Sequence, residues 1–270
     1  MQKKMYAHIS TYEGETTVRH SILLIGQSNM AGRGYANEVL PIRNKSLFVL
    51  RNGLWRPLYV PVNPDRVTAG INLSESFADL YARDHDVQVG IIPCADGGSS
   101  LDQWAEGSIL FDHACYMAEL ASRTSNIVAV LWHQGESDSS ADKAPFYEEK
   151  LRLILNAFRK RPGLENVPFL LGGLGDFLVQ NPDPARCEKF CDYDKVNQAL
   201  QRIAATEKAM GFVSAEGLVD NSDYLHFSAQ SLRTFGERYY EAFLKLEDKT
   251  CVFEEKTTAD AGIKSGLENL

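Results

Sequence analysis

The chain has 270 residues, of which 44% are hydrophobic and 24% charged, with a formal net charge of -8. Those proportions fit a globular protein able to bury one large core, and no run approaches the ~18 consecutive apolar residues of a membrane span. The acidic balance argues against nucleic acid as a partner, because phosphate backbones are bound by concentrated Lys and Arg. The basic cluster Arg159, Lys160 and Arg161 is short enough to be a solvated helix end.

Residues 1–20 carry two early lysines but no apolar stretch ahead of the polar segment 11–17. No secretory leader is expected there. Residues 21–25 (SILLI), 87–92 (VQVGII), 127–132 (IVAVLW), 169–171 and 211–215 (GFVSA) are aliphatic runs with little alternation. Such runs predict strands covered on both faces. Between them, helical spacing links Leu73, Phe77, Leu80 and Tyr81, then Ala114, Met117, Ala118 and Ala121, then Phe146, Leu151, Ile154, Leu155 and Phe158, then Val196, Leu200 and Ile203. Ser228 predicts the N-cap of a last helix whose apolar face is Leu232, Phe235, Tyr239, Phe243 and Leu246.

Alternating strands and helices predict a mainly parallel sheet with helices on both faces, built of right-handed crossovers. Residues 46–66 break the alternation with the turn signal Asn52-Gly53 and three prolines, and are expected to form an inserted hairpin and loop. The reading is a single domain over residues 1–247, with 248–270 as a polar tail. Five cysteines from Cys94 to Cys251 form no disulfide framework, so a reducing, cytoplasmic setting is expected. Cys187 and Cys191 lack a nearby His, which favours two thiols one helical turn apart over zinc.

In an open parallel sheet, ligands bind beyond the carboxyl ends of the strands. Four predicted strands lead there into unusual loops: Gly26-Gln27-Ser28-Asn29, then Ala95-Asp96-Gly97-Gly98-Ser99-Ser100, then His133-Gln134-Gly135-Glu136-Ser137-Asp138, and Asp223-Tyr224-Leu225-His226. Together they contain every part of a serine hydrolase: a hydroxyl nucleophile, a base, a carboxylate to orient it, and donors for an oxyanion. Ser28 ends a buried strand, and Asp223 lies three residues before His226. Gly98 allows close backbone approach, and Gln134 offers a neutral amide donor. Each residue alone has a structural explanation as a cap or turn; their conjunction at one sheet edge does not.

His133 is the rival base, but strand alternation sends His133 and Gln134 to opposite faces; Gln134 is expected in the site and His133 in packing or at the surface. With no H-E-x-x-H and no clustered histidine partners for Asp96, Asp102, Glu136 and Asp138, neither metal nor cofactor is expected. Trp55, Trp104 and Tyr35 are placed to stack on a sugar or to anchor the core and loops.

At these loops the sequence resembles the SGNH hydrolases, and among them the sialate O-acetylesterase and acetylxylan esterase group, family 6 of the carbohydrate esterases. The resemblance is carried by Gly26-Gln27-Ser28-Asn29-Met30-Ala31-Gly32, by Gly97-Gly98-Ser99-Ser100-Leu101, by Trp132 to Asp138, and by Asp223 with His226. It implies a flavodoxin-like three-layer α/β/α fold and metal-independent removal of acetyl groups from a small acetylated saccharide. It further implies Ser28 as nucleophile, His226 as base and Asp223 as its orienting carboxylate, with Ser28, Gly98 and Gln134 forming the oxyanion hole. Gln27, Asn29 and Glu136 would support them, Glu136 without a chemical step. The absence of G-x-S-x-G around Ser28 separates the chain from the α/β-hydrolases. The alternatives are an esterase for other short acyl chains, a lipase or thioesterase of the same fold, and a sugar-binding module without turnover.

Overall fold

The structure is a computed structural model that describes residues 20–247; the polar tail expected at 248–270 and the N-terminal segment lie outside them. Among the described residues seven strands form one sheet in the order β3-β2-β4-β1-β5-β6-β7. They are β1 (His20–Gly26), β2 (Leu47–Arg51), β3 (Leu54–Pro57), β4 (Val89–Pro93), β5 (Asn126–His133), β6 (Phe169–Gly172) and β7 (Met210–Val213). Every pairing is parallel except β2 with β3. The five aliphatic runs thus become β1, β4, β5, β6 and β7, buried because helices cover both faces of the sheet in a three-layer α/β/α arrangement.

The helices are α1 (Ser28–Ala31), α2 (Ser74–Asp84), α3 (Leu101–Trp104), α4 (Ile109–Ser122), α5 (Tyr147–Arg159), α6 (Pro184–Glu188), α7 (Tyr193–Thr206) and α8, residues 229–247. The apolar stripes pack as their spacing predicts except at Phe146, which precedes α5 and is exposed, Tyr147 taking the buried place instead. Phe77 of α2 meets the Tyr240 and Phe243 rings of α8 at 5.6 and 5.9 Å, and Phe111 of α4 meets Phe158 of α5 at 4.4 Å. Ser228 caps α8, its Oγ accepting the Ser231 N–H at 3.2 Å.

Asn52 and Gly53 make the expected turn, with φ of 51° and 78°. The hairpin is not an appendage, however. Its first strand pairs in parallel with β4, Leu47 opposite Val89, so β2 and β3 extend the sheet's edge. Four apolar residues of β2 therefore sit in the interior, and the chain leaving β3 is led back toward the carboxyl ends of β4 and β1.

The central strand β1 lies between β4 and β5, where the chain changes from building one side of the sheet to building the other. Crevices open at the carboxyl edge of such a switch point. The segments that follow β1, β4 and β5 converge there, and the connection from β7 to α8 joins them.

Candidate active site

The register sets Gly26 beside His133, the last residues of β1 and β5. A Cβ at Gly26 would lie 2.1 Å from the His133 carbonyl oxygen, and its φ is 133°, so only glycine lets the strand end here. The next residue, Gln27, is extended and occupies the N-cap position of the one-turn α1; its carbonyl accepts the N–H groups of Met30 and Ala31, both at 2.9 Å. Ser28 is therefore not a cap. It is the first helical residue, whose N–H has no acceptor within the helix. The turn ends at once at Gly32, with φ of 96°.

The Ser28 Oγ lies 3.1 Å from His226 Nε2, and His226 Nδ1 lies 2.7 Å from Asp223 Oδ2. The second oxygen of Asp223 accepts the N–H groups of Leu225 at 2.9 Å and His226 at 2.8 Å. A short acidic side chain capping its own turn in this way is what a D-x-x-H spacing permits. Ser222 and Tyr224 flank it with φ of 63° and 58°, a conformation that costs non-glycine residues energy and persists where surrounding contacts fix it. Burial raises the Asp223 pKa, but the hydrogen bonds and charge of His226 and the Leu225 N–H outweigh it, and the net direction is down. The carboxylate is thus held ionised against the imidazole.

Asn29 ties this loop to the serine. Its Nδ2 donates to the Leu225 carbonyl at 3.1 Å and to Glu136 Oε1 at 2.5 Å, while its Oδ1 accepts the Phe227 N–H at 3.1 Å. Glu136 Oε1 also meets His133 Nε2 at 3.2 Å. Burial pushes the Glu136 carboxyl up, yet its contacts with His133 and Asn29 prevail and its pKa is lowered. His133 is fully buried, edge-on to Phe227 and Phe235, so of its two expected fates it takes packing.

A cavity of about 270 Å³ opens over Ser28 and His226, walled by Gln27, Gly98, Ser137, Phe190 and Leu225. Gly98 has φ of 78°, and no heavy atom lies within 4 Å of where its Cβ would be. Among the described residues its N–H takes no acceptor, so Gly98 faces the cavity as an available donor.

Gln134 is a correction. It was expected to offer its amide to the same site, but it is fully buried, and its Nε2 donates to the Ser99 carbonyl at 3.1 Å and to Asp138 Oδ2 at 2.6 Å. Both N–H hydrogens are consumed, and exchanging the amide's oxygen and nitrogen would set oxygen against two acceptors. Its neighbour in the first motif is better placed. The Gln27 Oε1 accepts the Gly135 and Ser137 N–H groups at 3.2 and 3.3 Å, and its Nε2 takes no acceptor among the described residues while the residue lines the cavity.

Other contributors went unread in the sequence. Arg33 and Asp65 form a buried bidentate pair, 3.0 and 2.7 Å, and Asp65 also accepts the Gly97 N–H at 2.8 Å. Arg66 bridges to Asp96 at 3.0 Å at the cavity's rim. Phe190, from the turn after α6, supplies an apolar wall. None of the three suspected stacking residues lines the cavity: Trp104 is core, with Nε1 on Ser99 Oγ at 2.9 Å, Trp55 covers Gly90 at the sheet edge, and Tyr35 is exposed.

A larger groove of about 690 Å³ between α3 and α5 contains Asp102, Glu106 and Lys150 but no nucleophile beside a base, so size alone does not select the site. Among the described residues no group of three or more His, Cys, Asp or Glu is arranged to hold a metal, and no helix is long and apolar enough to cross a membrane.

Comparison with known proteins identifies relatives over the whole fold. A probable carbohydrate esterase of Arabidopsis thaliana is 26% identical over 249 residues, covering 82% of this chain and 89% of the relative. The crystal structure of that plant protein superposes with a TM-score of 0.74 over 84% of this chain and 98% of its own. NanS, at 16% identity, shares the fold with a TM-score of 0.66, covering 86% and 99% of the two chains. A carbohydrate acetylesterase of Xanthomonas citri, at 18% identity, does so with a TM-score of 0.60 over 82% of this chain and 55% of its own. The family model described as carbohydrate esterase, sialic acid-specific acetylesterase matches residues 18–245; the chain belongs to that family and is a carboxylic ester hydrolase.

Proposed function

We propose that the protein removes acetyl groups from an O-acetylated saccharide through an acetyl-enzyme on Ser28. The observation that carries this reading is the line from Asp223 through His226 to Ser28, at 2.7 and 3.1 Å, ending beneath a small cavity. His226 Nε2 takes the Ser28 hydroxyl proton as Oγ attacks the acetyl carbonyl, and Asp223 holds the imidazole in the tautomer that leaves Nε2 free. The oxyanion is met by the N–H groups of Ser28 and Gly98, with the Gln27 amide as the side-chain donor in place of Gln134. Collapse of the tetrahedral intermediate expels the sugar alkoxide, which receives the proton from His226. Water then attacks the acetyl-enzyme, giving its proton to the same nitrogen, and acetate leaves as Ser28 is restored.

Phe190 and Leu225 bound a cavity of about 270 Å³, which supports a short acyl group and a saccharide lying across the open mouth. Acetyl esters are therefore expected to be turned over in preference to butyryl esters. The test is release of acetate from p-nitrophenyl acetate and then from O-acetylated sialic acid and acetylated xylo-oligosaccharides. Ser28→Ala, a small change at a position that is not needed for the cap, abolishes it; full activity in that variant overturns the reading.

A further inference from the structure

The carbonyl of Gly97 and the N–H of Gly98 belong to one peptide unit, and in a trans peptide they point in opposite directions. Whatever holds that carbonyl therefore aims the N–H. The Gly97 carbonyl accepts one hydrogen bond among the described residues, from Arg66 Nη2 at 3.1 Å. We infer that Arg66 is a positioning residue, which keeps the Gly97–Gly98 peptide turned so that the Gly98 N–H serves the oxyanion. The inference rests on the esterase reading given above.

The need for such a clamp follows from the two glycines. At Gly97 a Cβ would fall 2.5 Å from Arg33 Nη2 and 2.8 Å from Asp65 Oδ2, and Gly98 adopts φ of 78°. Side chains are excluded at the first and strained at the second. Two glycines in succession also make rotation of the peptide between them cheap, and a flipped unit would present a carbonyl oxygen to the developing negative charge. The flanking units have their own restraints, since Asp65 Oδ2 accepts the Gly97 N–H at 2.8 Å and Ser137 Oγ donates to the Gly98 carbonyl at 3.0 Å. The middle unit has Arg66.

Arg66 is itself set in place by donating to the Asp65 carbonyl at 2.9 Å and to Asp96 Oδ1 at 3.0 Å. Its terminal nitrogens are thus turned to protein acceptors. A cation on the carbonyl also polarises the peptide and strengthens its N–H as a donor. Because Arg66 leaves the hairpin that extends the sheet, this edge supplies a working part of the site.

Arg66→Ala tests the inference. The side chain is half-exposed, so the fold is expected to stand. Removing an oxyanion donor costs roughly 100-fold or more, and loosening one costs less, so kcat on p-nitrophenyl acetate should fall by about 10- to 100-fold. KM should hardly move, because the interaction operates on the oxyanion. Arg66→Lys is expected to fall between, and added guanidinium should restore part of kcat to Arg66→Ala where sodium chloride at equal ionic strength does not. Unchanged kcat overturns the inference, as does a raised KM with kcat intact, which would make Arg66 a substrate-binding residue. If Arg66→Ala loses its thermal transition, Arg66→Gln is read by the same kcat and KM criteria. An active Ser28→Ala overturns the esterase reading itself, whereas an inactive Ser28→Ala beside a fully active Arg66→Ala overturns only the role of Arg66.

Discussion

Ser28 stands two residues beyond a central strand, in a one-turn helix whose backbone is fixed by β5 on one side and closed by a glycine on the other. Asp223 and His226 stand in an irregular connection from β7 to α8, on a turn with two non-glycine residues in left-handed conformation. Backbone pairing holds the first, whereas side-chain hydrogen bonds hold the second: Asp223 on its own turn, Asp220 on the Tyr224 N–H at 2.5 Å, and Asn29 across to Leu225 and Phe227. A sheet edge can place one reacting atom rigidly, but the partner arriving from a different crossover needs polar side chains to span the gap. Such a loop is easier to displace than the strand it meets.

The largest expected effect separates chemistry from position. His226→Gln keeps a polar side chain in a partly open place but no base, so kcat/KM should fall about 10⁴-fold or more with little change in melting temperature. A loss of stability equal to that of a core substitution would show that His226 is part of the scaffold, and the contrast between the halves would fail. Asn29→Ala is next. It leaves the Leu225 carbonyl and the Phe227 N–H without their partner and Glu136 Oε1 with His133 alone, at a cost of about 1–3 kcal/mol in stability. Displacement of the His226 loop by an ångström should lower kcat by roughly 100-fold. Amide exchange should quicken in residues 220–227 and stay slow in β1. Equal exchange in both would mean that Asn29 does not join them.

The strands were legible because a parallel sheet covered on both faces demands uninterrupted aliphatic runs, which SILLI and IVAVLW supply. Ser28, Asp223 and His226 were legible because short motifs place them on turns whose geometry is local. The edge hairpin was seen as a hairpin but not as part of the sheet, since its turn is encoded locally and its pairing with β4 is not. The same limit explains Gln134. Alternation separates it from His133, but the face that meets the cavity depends on where α3 and Ser99 lie. Asp65, Arg66 and Phe190 carried no motif. Arg33, Asp65 and Arg66 belong to no site loop in the sequence, and only the fold brings them to Asp96 around Gly97. The only local hint was the paired glycine at 97 and 98, the first crowded by Arg33 and Asp65 and the second in a left-handed conformation.

The smallest expected effect concerns acid stability. Asp223 has a folded pKa below its ordinary value because His226 and two backbone N–H groups favour its charged form, despite its burial. Ionisation of this group therefore favours the folded chain at pH above the unfolded carboxylate range, ~3.9, and that contribution disappears as pH falls through the still lower folded value. The side chain is 42% exposed, so solvent screening keeps the contribution small. Asp223→Asn retains the shape of the turn but cannot titrate. Urea midpoints measured from pH 5 down to pH 3 should decline less steeply in the variant than in the parent chain. Glu136 and the other carboxylates titrate in both proteins, so they cancel in the difference. Identical slopes would mean that the loop holds Asp223 no better than the unfolded chain does, and that His226 is oriented by something other than this carboxylate.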